Sequence, residues 1–550
     1  MKRIIQAAAI ALTIILAGCE NNFDPQIYGV LSPANYPASA EDFEQLMMTC
    51  YIPFTTSWTY YLGASKGNQH SWYIPAGGVL KHFEYTTDSM APWIRGWGQM
   101  YYYLSMADFS QCVYFWRDGV DDGANVNHYP KTREVTRFTE IIGTLQDASS
   151  DVIPESRKNE LLGEARLCRG LHMYNLLHTF GPVPLIVDPA KVSDAEALEN
   201  TVRPSLDEIT EWIYDDFEFA VNNVAEKQAE HGRYTADYAR VCLMRHCLNE
   251  GYHKEGYYQK AIDMYRALQG KYSLYTKGEN PCVDMFKVEN EWNQEIIMAV
   301  SCNEVATGNN LEGNINPLMM LAVPTDAAKQ DDLGNKTPFA LQGGGWGQAF
   351  NVAPKFYDTY EDNDLRKDVV LTSYYSTNGY WVTPSDIGSR WDGYIINKFP
   401  IQTETAPHYG NDIPLARWAD VLLMFAEAEV RKSGSAPSSE AIAAVNEVRH
   451  RAGLGDLPAS ATGSASAFLD ALLTERGHEF LYEGIRKIDL IRFNQYALRT
   501  KQCKGLTPTH QYVPLPNYAV EEAENYGKTL EQTWSREGWS SDLAAAASVN

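Results

Sequence analysis

Cys19 is the one side chain whose neighbours prescribe a reaction. It follows Leu16-Ala17-Gly18, an apolar run over residues 4–16 and the basic pair Lys2-Arg3. A basic start, an apolar stretch and small residues before a cysteine mark an export leader. The pattern predicts cleavage before Cys19, lipid on its sulfur, and a body tethered to a membrane surface. The apolar run is about 13 residues, whereas a membrane span needs ~20. Stable anchoring takes more than one acyl chain, which a diacylglyceryl-type cysteine supplies.

Two further stretches combine aromatic rings with planar amides. Asn68-Gln69-His70-Ser71-Trp72-Tyr73 lies among the chain breakers Gly63, Gly67, Pro75, Gly77 and Gly78. Gly345-Trp346-Gly347-Gln348 puts one indole on a glycine-rich turn. Rings in loops beside Asn and Gln suit a ligand with flat C–H faces and many hydroxyls, which are the features of a sugar. Candidate ligand contacts are therefore Trp72, Tyr73, Gln69, Asn68, Trp346 and Gln348. Trp97 and Trp418 fall in helical patterns and read as core. Trp381 and Trp391 lie in an aromatic-rich stretch with Tyr374, Tyr375 and Tyr380.

Other chemistries lack their residues. Gly343–Gly347 is not followed by the Lys-Ser/Thr of a phosphate loop. Asp362-Asn363-Asp364 clusters hard oxygens without the rest of an EF-hand, and reads as a solvated turn. The nine cysteines include no CxxC or Cys/His cluster at zinc spacing, so neither metal nor cofactor is expected. Paired carboxylates for glycoside hydrolysis cannot be picked out of 70 acidic residues, and no motif marks a catalytic group. The net charge of −24 would repel phosphate backbones, which argues against nucleic acid as a partner.

These residues need a large scaffold, and 550 residues with 45% hydrophobic content provide one. Helical periodicity is clearest over residues 159–179, where Leu161, Ala165 and Cys168 form a stripe ended by Gly181-Pro182. Pro204-Ser205 opens another helix. Further helices are expected over 40–50, 97–116, 234–249, 256–269, 415–430, 442–451 and, as one long final helix, 467–496. Residues 280–405 are mixed, with short strand-like runs at 296–301 and 394–399 between Gly- and Asn-rich loops. Residues 20–40, bearing Pro25, Pro33 and Pro37, read as a tether. The fold class is mainly α, with tetratricopeptide-like hairpins and long irregular insertions carrying short β-hairpins.

Four stretches in order resemble the SusD/RagB family of outer-membrane nutrient-binding lipoproteins. They are Glu164-Ala165-Arg166-Leu167-Cys168-Arg169-Gly170 running on to Phe180-Gly181-Pro182-Val183-Pro184; Arg417-Trp418-Ala419-Asp420 through Glu427-Ala428; Val445-Asn446-Glu447-Val448-Arg449 through Gly453-Leu454; and Glu475-Arg476 with Glu479-Phe480-Leu481-Tyr482-Glu483-Gly484-Ile485-Arg486 through Phe493. Phe493 stands where the family usually has Trp. The charged residues of these motifs read as scaffold, with Glu483–Arg486 and Asp489–Arg492 at i, i+3 spacing. Were such pairs exposed, each would be worth under about 1 kcal/mol.

The resemblance implies a SusD-like fold and a non-catalytic surface lipoprotein. Such a protein would bind glycan and deliver it to a SusC-like TonB-dependent transporter in the outer membrane. A peptide ligand, as for RagB, is the alternative. The implied organisation is a leader over 1–18, lipidated Cys19 and tether over 19–40, an N-terminal helical scaffold with aromatic loops over 41–280, and a C-terminal region over 281–550.

Overall fold

The computed structural model describes residues 36–56, 71–73, 78–93, 102–111, 128–199, 202–302, 316, 318–345, 347–402 and 410–549. The leader, Cys19 and most of the tether lie outside these residues. No helix among the described residues is long and apolar enough to cross a membrane.

Helices of seven residues or more are α1 Ala40–Met48, α2 Lys131–Gln146, α3 Glu155–Phe180, α4 Leu206–Asn223, α5 Ala236–Glu250, α6 Tyr257–Leu268, α7 Trp418–Ser433, α8 Ser439–Arg451, α9 Ala465–Glu479, α10 Arg486–Arg492, α11 Tyr496–Lys504, α12 Asn517–Asn525 and α13 Trp539–Ala547. Local chemistry sets their starts. Ser39 and Ser205 build capping boxes with Asp42 and Glu208, and the Thr235 side chain caps α5. Gly181, at φ +77°, ends α3 where a β-carbon would strike the Trp534 ring.

Consecutive helices from α2 to α6 pack side by side, α6 packs on α7, and α7 on α8. These are the expected tetratricopeptide-like hairpins, and the mainly α fold class holds. Gly170 explains the close approach of α3 and α4, because a β-carbon there would lie 2.7 Å from the Phe217 ring. At the α6–α7 seam Tyr265 stacks on Phe425 with centroids 4.0 Å apart.

The strands are short: β1 Ile296–Val300, β2 Asn351–Val352, β3 Val370–Leu371, β4 Tyr374–Ser376, β5 Tyr380–Val382, β6 Tyr394–Ile396 and β7 Ile413–Arg417. β1 pairs with β7, β6 lies between β2 and β3, and β4 with β5 forms a hairpin, all antiparallel. They belong to the irregular layer inserted between α6 and α7.

Three expected elements differ. Residues 415–417 are strand, drawn into β7 by pairing with β1, so the helix starts at Trp418. The long final helix breaks into α9, α10 and α11. Tyr482 and Gly484 take positive φ, and Lys398 Nζ donates to the Leu481 and Glu479 carbonyls at 2.9 and 3.4 Å. Of the helix expected over 97–116, the described residues form two short pieces, the turn Tyr102–Ser105 and the 3-10 turn Phe109–Gln111, separated at Ala107 with φ +56°.

The motif charges are buried rather than exposed. Arg417 meets Glu295 at 2.6 Å, Glu479 at 2.9 Å and Glu483 at 2.7 Å. Arg476 joins Asp420 and Asp489, each at 2.8 Å. The Asp489–Arg492 pair forms at 2.7 Å as expected, but Arg486 turns from Glu483 to Asp88. Desolvation offsets much of the attraction in such pairs. Their effect is to fix which segments meet. Cys50, Cys168, Cys242, Cys247, Cys282, Cys302 and Cys503 are free thiols.

Candidate ligand-binding site

Trp72 and Tyr73 were expected on a ligand-facing loop, and the structure puts both in the core. Trp72 is 0% exposed. Its indole N–H donates to His172 Nδ1 at 3.1 Å, its ring stacks on His128 at 4.3 Å, and the Lys131 ammonium lies 5.2 Å from the ring centroid. No ring face remains for a sugar. Tyr73 is also buried, against Phe54, and burial pushes its phenol well above the usual range. These rings pin their loop to α2 and α3. Asn68, Gln69 and Trp346 lie outside the described residues. Gln348 is half-buried and donates from Nε2 to the Gly393 carbonyl at 3.0 Å.

Four rings among the described residues are well exposed: Tyr252 and Tyr526 stand apart at 44% and 46%, and the β4–β5 hairpin carries two neighbours, Trp381 at 45% and Tyr380 at 36%. Strand alternation puts them on opposite faces. Trp381 faces its cross-strand partner Tyr375, edge-on at 5.5 Å. Tyr380 carries the Arg390 guanidinium 4.3 Å from its centroid. Trp391, from the same aromatic stretch, is buried and donates to the Thr383 carbonyl, so it is a support beneath the hairpin.

Asp326 braces the hairpin by accepting from Tyr374 Oη at 3.0 Å and Ser376 Oγ at 2.6 Å. The following segment runs alongside, with Ala328 N–H donating to the Tyr375 carbonyl. It carries Asp331 and Asn335, whose side chains bond each other at 2.9 Å. That bond and neighbouring backbone N–H groups hold the Asp331 carboxyl below its usual range. Gly344 and Gly345 are tied to the same layer. Gly345 N–H donates to the Pro324 carbonyl, and a β-carbon at Gly344 would lie 1.9 Å from the Thr325 carbonyl oxygen.

The hairpin thus shows one exposed ring on each face, with Asp331 and Asn335 on the segment beside it. A separate cleft of about 440 Å³ lies beside Tyr51, Tyr234, His231 and Ser301. Its Arg233 is taken up by Glu164 and Glu44. Among the described residues no group of three His, Cys, Asp or Glu side chains is placed to hold a metal. Asp364, in the sequence cluster of hard oxygens, is bound by Arg366 at 2.8 Å.

The SusD family model matches residues 219–537, and this chain belongs to that family. A SusD-like protein of Bacteroides ovatus is 26% identical over 441 residues, covering 75% of this chain and 73% of that protein. SusD-like protein P2 of Formosa agariphila is 24% identical over 381 residues, covering 64% of this chain and 69% of its own. Among solved structures, a laminarin binding SusD-like protein superposes with TM-score 0.66 at 19% identity, over 90% of this chain and 99% of that one. Surface glycan-binding protein A from Bacteroides thetaiotaomicron, in complex with laminarihexaose, gives TM-score 0.65 at 16% identity, over 90% and 100%. At these identities the superpositions establish the fold.

Proposed function

We propose that this protein is a non-catalytic, lipid-anchored glycan-binding protein of the outer membrane. It holds an oligo- or polysaccharide and passes it to a SusC-like TonB-dependent transporter. The carrying observation is the exposed indole of Trp381, braced by Tyr375 in a polar setting within a SusD-family fold. Such a ring offers a sugar C–H face an apolar partner, and neighbouring Asp and Asn groups take its hydroxyls. The glycan-binding relatives support this ligand class. Because Gly344 and Gly345 are tied to the same layer, Trp346 and Gln348 stay in the proposed site. Asn68 and Gln69 supply amides in the same reading, and Cys19 supplies the anchor.

The test is affinity electrophoresis and calorimetry of the protein against a panel of polysaccharides and peptides. Retardation by one glycan class, weakened by Trp381→Ala, is expected. Binding of peptides with silence across the glycans would overturn the reading in favour of a peptide-importing relative.

A further inference from the structure

A cavity of about 270 Å³ lies away from the hairpin, where α9, α10 and α11 meet the turn at residues 354–357. Arg486 lines its buried floor, while Lys355, Arg499 and Gln502 line its rim. In a chain of net charge −24 this concentration of cations is out of character. The balance of charge inside the cavity is positive as well. Asp88, the carboxylate lining it, is consumed by the two-pronged Arg486 pair. Asp470 binds one edge of Arg499. Lys355 Nζ contacts only the Gln502 carbonyl, at 3.4 Å, and has no carboxylate within 4.0 Å among the described residues.

Donors remain free to act. A guanidinium has five N–H groups. Arg486 directs three of them, to Asp88 Oδ1, Asp88 Oδ2 and the Leu473 carbonyl, and two stay uncommitted. Arg499 uses Nε on Gln495 and Nη2 on Asp470, leaving its Nη1 group. The Gln502 side-chain amide makes no hydrogen bond among the described residues. Guanidinium forks match carboxylate and tetrahedral oxyanion geometry, and an ammonium adds a point charge.

We propose that this cavity binds a small molecule through an oxyanion group, a carboxylate, sulfate or phosphate. The volume falls just below the ~300–1,000 Å³ of ordinary ligand pockets, so it suits a single small anion rather than a polymer. The excess acid elsewhere does not forbid this, because at physiological salt charges beyond ~8 Å are largely screened. The proposal is independent of how the glycan binds.

The test titrates full-length protein with sulfate, inorganic phosphate and glucuronate, with ionic strength held constant by chloride, read by calorimetry and by melting temperature. Saturable binding above the chloride control is expected. Lys355→Ala with Arg499→Ala should weaken it at least tenfold while leaving the anion-free melting temperature unchanged. Response to glucuronate alone assigns a carboxylate ligand, and response to sulfate or phosphate assigns a tetrahedral one. If Arg499→Ala disturbs α11, Lys355→Glu at the exposed rim replaces it and must abolish binding. No saturation over chloride, or equal affinity in the variants, overturns the proposal.

Discussion

Arg486 grips Asp88 through two parallel contacts, Nε to Oδ1 at 2.9 Å and Nη2 to Oδ2 at 2.7 Å, across 398 positions of sequence. Both side chains are buried, at 5% and 3% exposure. The pair clasps the segment that follows the Asn68–Tyr73 stretch to the start of α10. Removing one partner leaves a charge stranded in the interior. Asp88→Ala should therefore destabilise the protein by about 3–5 kcal/mol, measured by urea denaturation. A loss below about 1 kcal/mol would show that water takes the place of the carboxylate on the guanidinium.

Trp72 makes the contrasting prediction for an aromatic buried in the core. Truncation removes the hydrogen bond to His172 and the stacking on His128, and opens a cavity. Trp72→Ala should cost about 3–5 kcal/mol, with a lowered melting temperature. Binding per folded molecule should be unchanged. A stable variant with lost binding would return Trp72 to the ligand site.

That contrast shows where the sequence is informative. α3 and α4 were legible because their signals are local: the Leu161, Ala165, Cys168 stripe, the Gly181 stop, and the Ser205–Glu208 capping box. β7 was not, since Leu415 continues the apolar spacing of α7 and its strand partner β1 lies more than a hundred residues away. The break after α9 carried one local sign, Gly484, but the cations that take the freed carbonyls are Lys398 and Arg417, from other segments. At the site, Trp72 and Trp381 look alike as rings among breakers. What separates them is whether His128, Lys131 and His172 fold over the ring, and long-range packing decides that.

Two buried groups should give stability a pH signature. Burial raises the Glu84 carboxyl to about 7, despite its hydrogen bonds from Gly484 N–H and Ser89. The folded state thus holds this proton more tightly than the unfolded chain. The contribution is full below about 4.5 and is lost as pH rises to about 7. Burial lowers Lys504 to about 7, where it donates to the Tyr85 and Ser105 carbonyls. There the sign reverses: the unfolded chain binds the proton more tightly, so stability is regained between about 7 and 10.5. The contributions are on the order of 3 kcal/mol for Glu84 and about 5 kcal/mol for Lys504. Glu84→Gln should flatten the melting profile only between pH 4.5 and 7, and Lys504→Met only above 7. A Glu84→Gln profile parallel to wild type would place the titration elsewhere.

Trp381 carries the functional prediction. Its ring is 45% exposed and edge-braced by Tyr375, so removing it opens no internal cavity. Trp381→Ala should leave the melting temperature within a degree or two of wild type. Loss of a stacked sugar face is worth about 1–2 kcal/mol by analogy with other aromatic contacts, which corresponds to roughly 5–30-fold weaker binding of the cognate glycan. Trp381→Phe keeps an apolar face and should recover part of that loss, whereas Trp391→Phe, beneath the hairpin, should act through stability. Calorimetry on the three variants with one glycan separates these effects. Unchanged affinity in Trp381→Ala would move the binding surface off the β4–β5 hairpin and toward the cleft beside Tyr51 and Tyr234, whose volume and mixed lining make it the next surface to mutate.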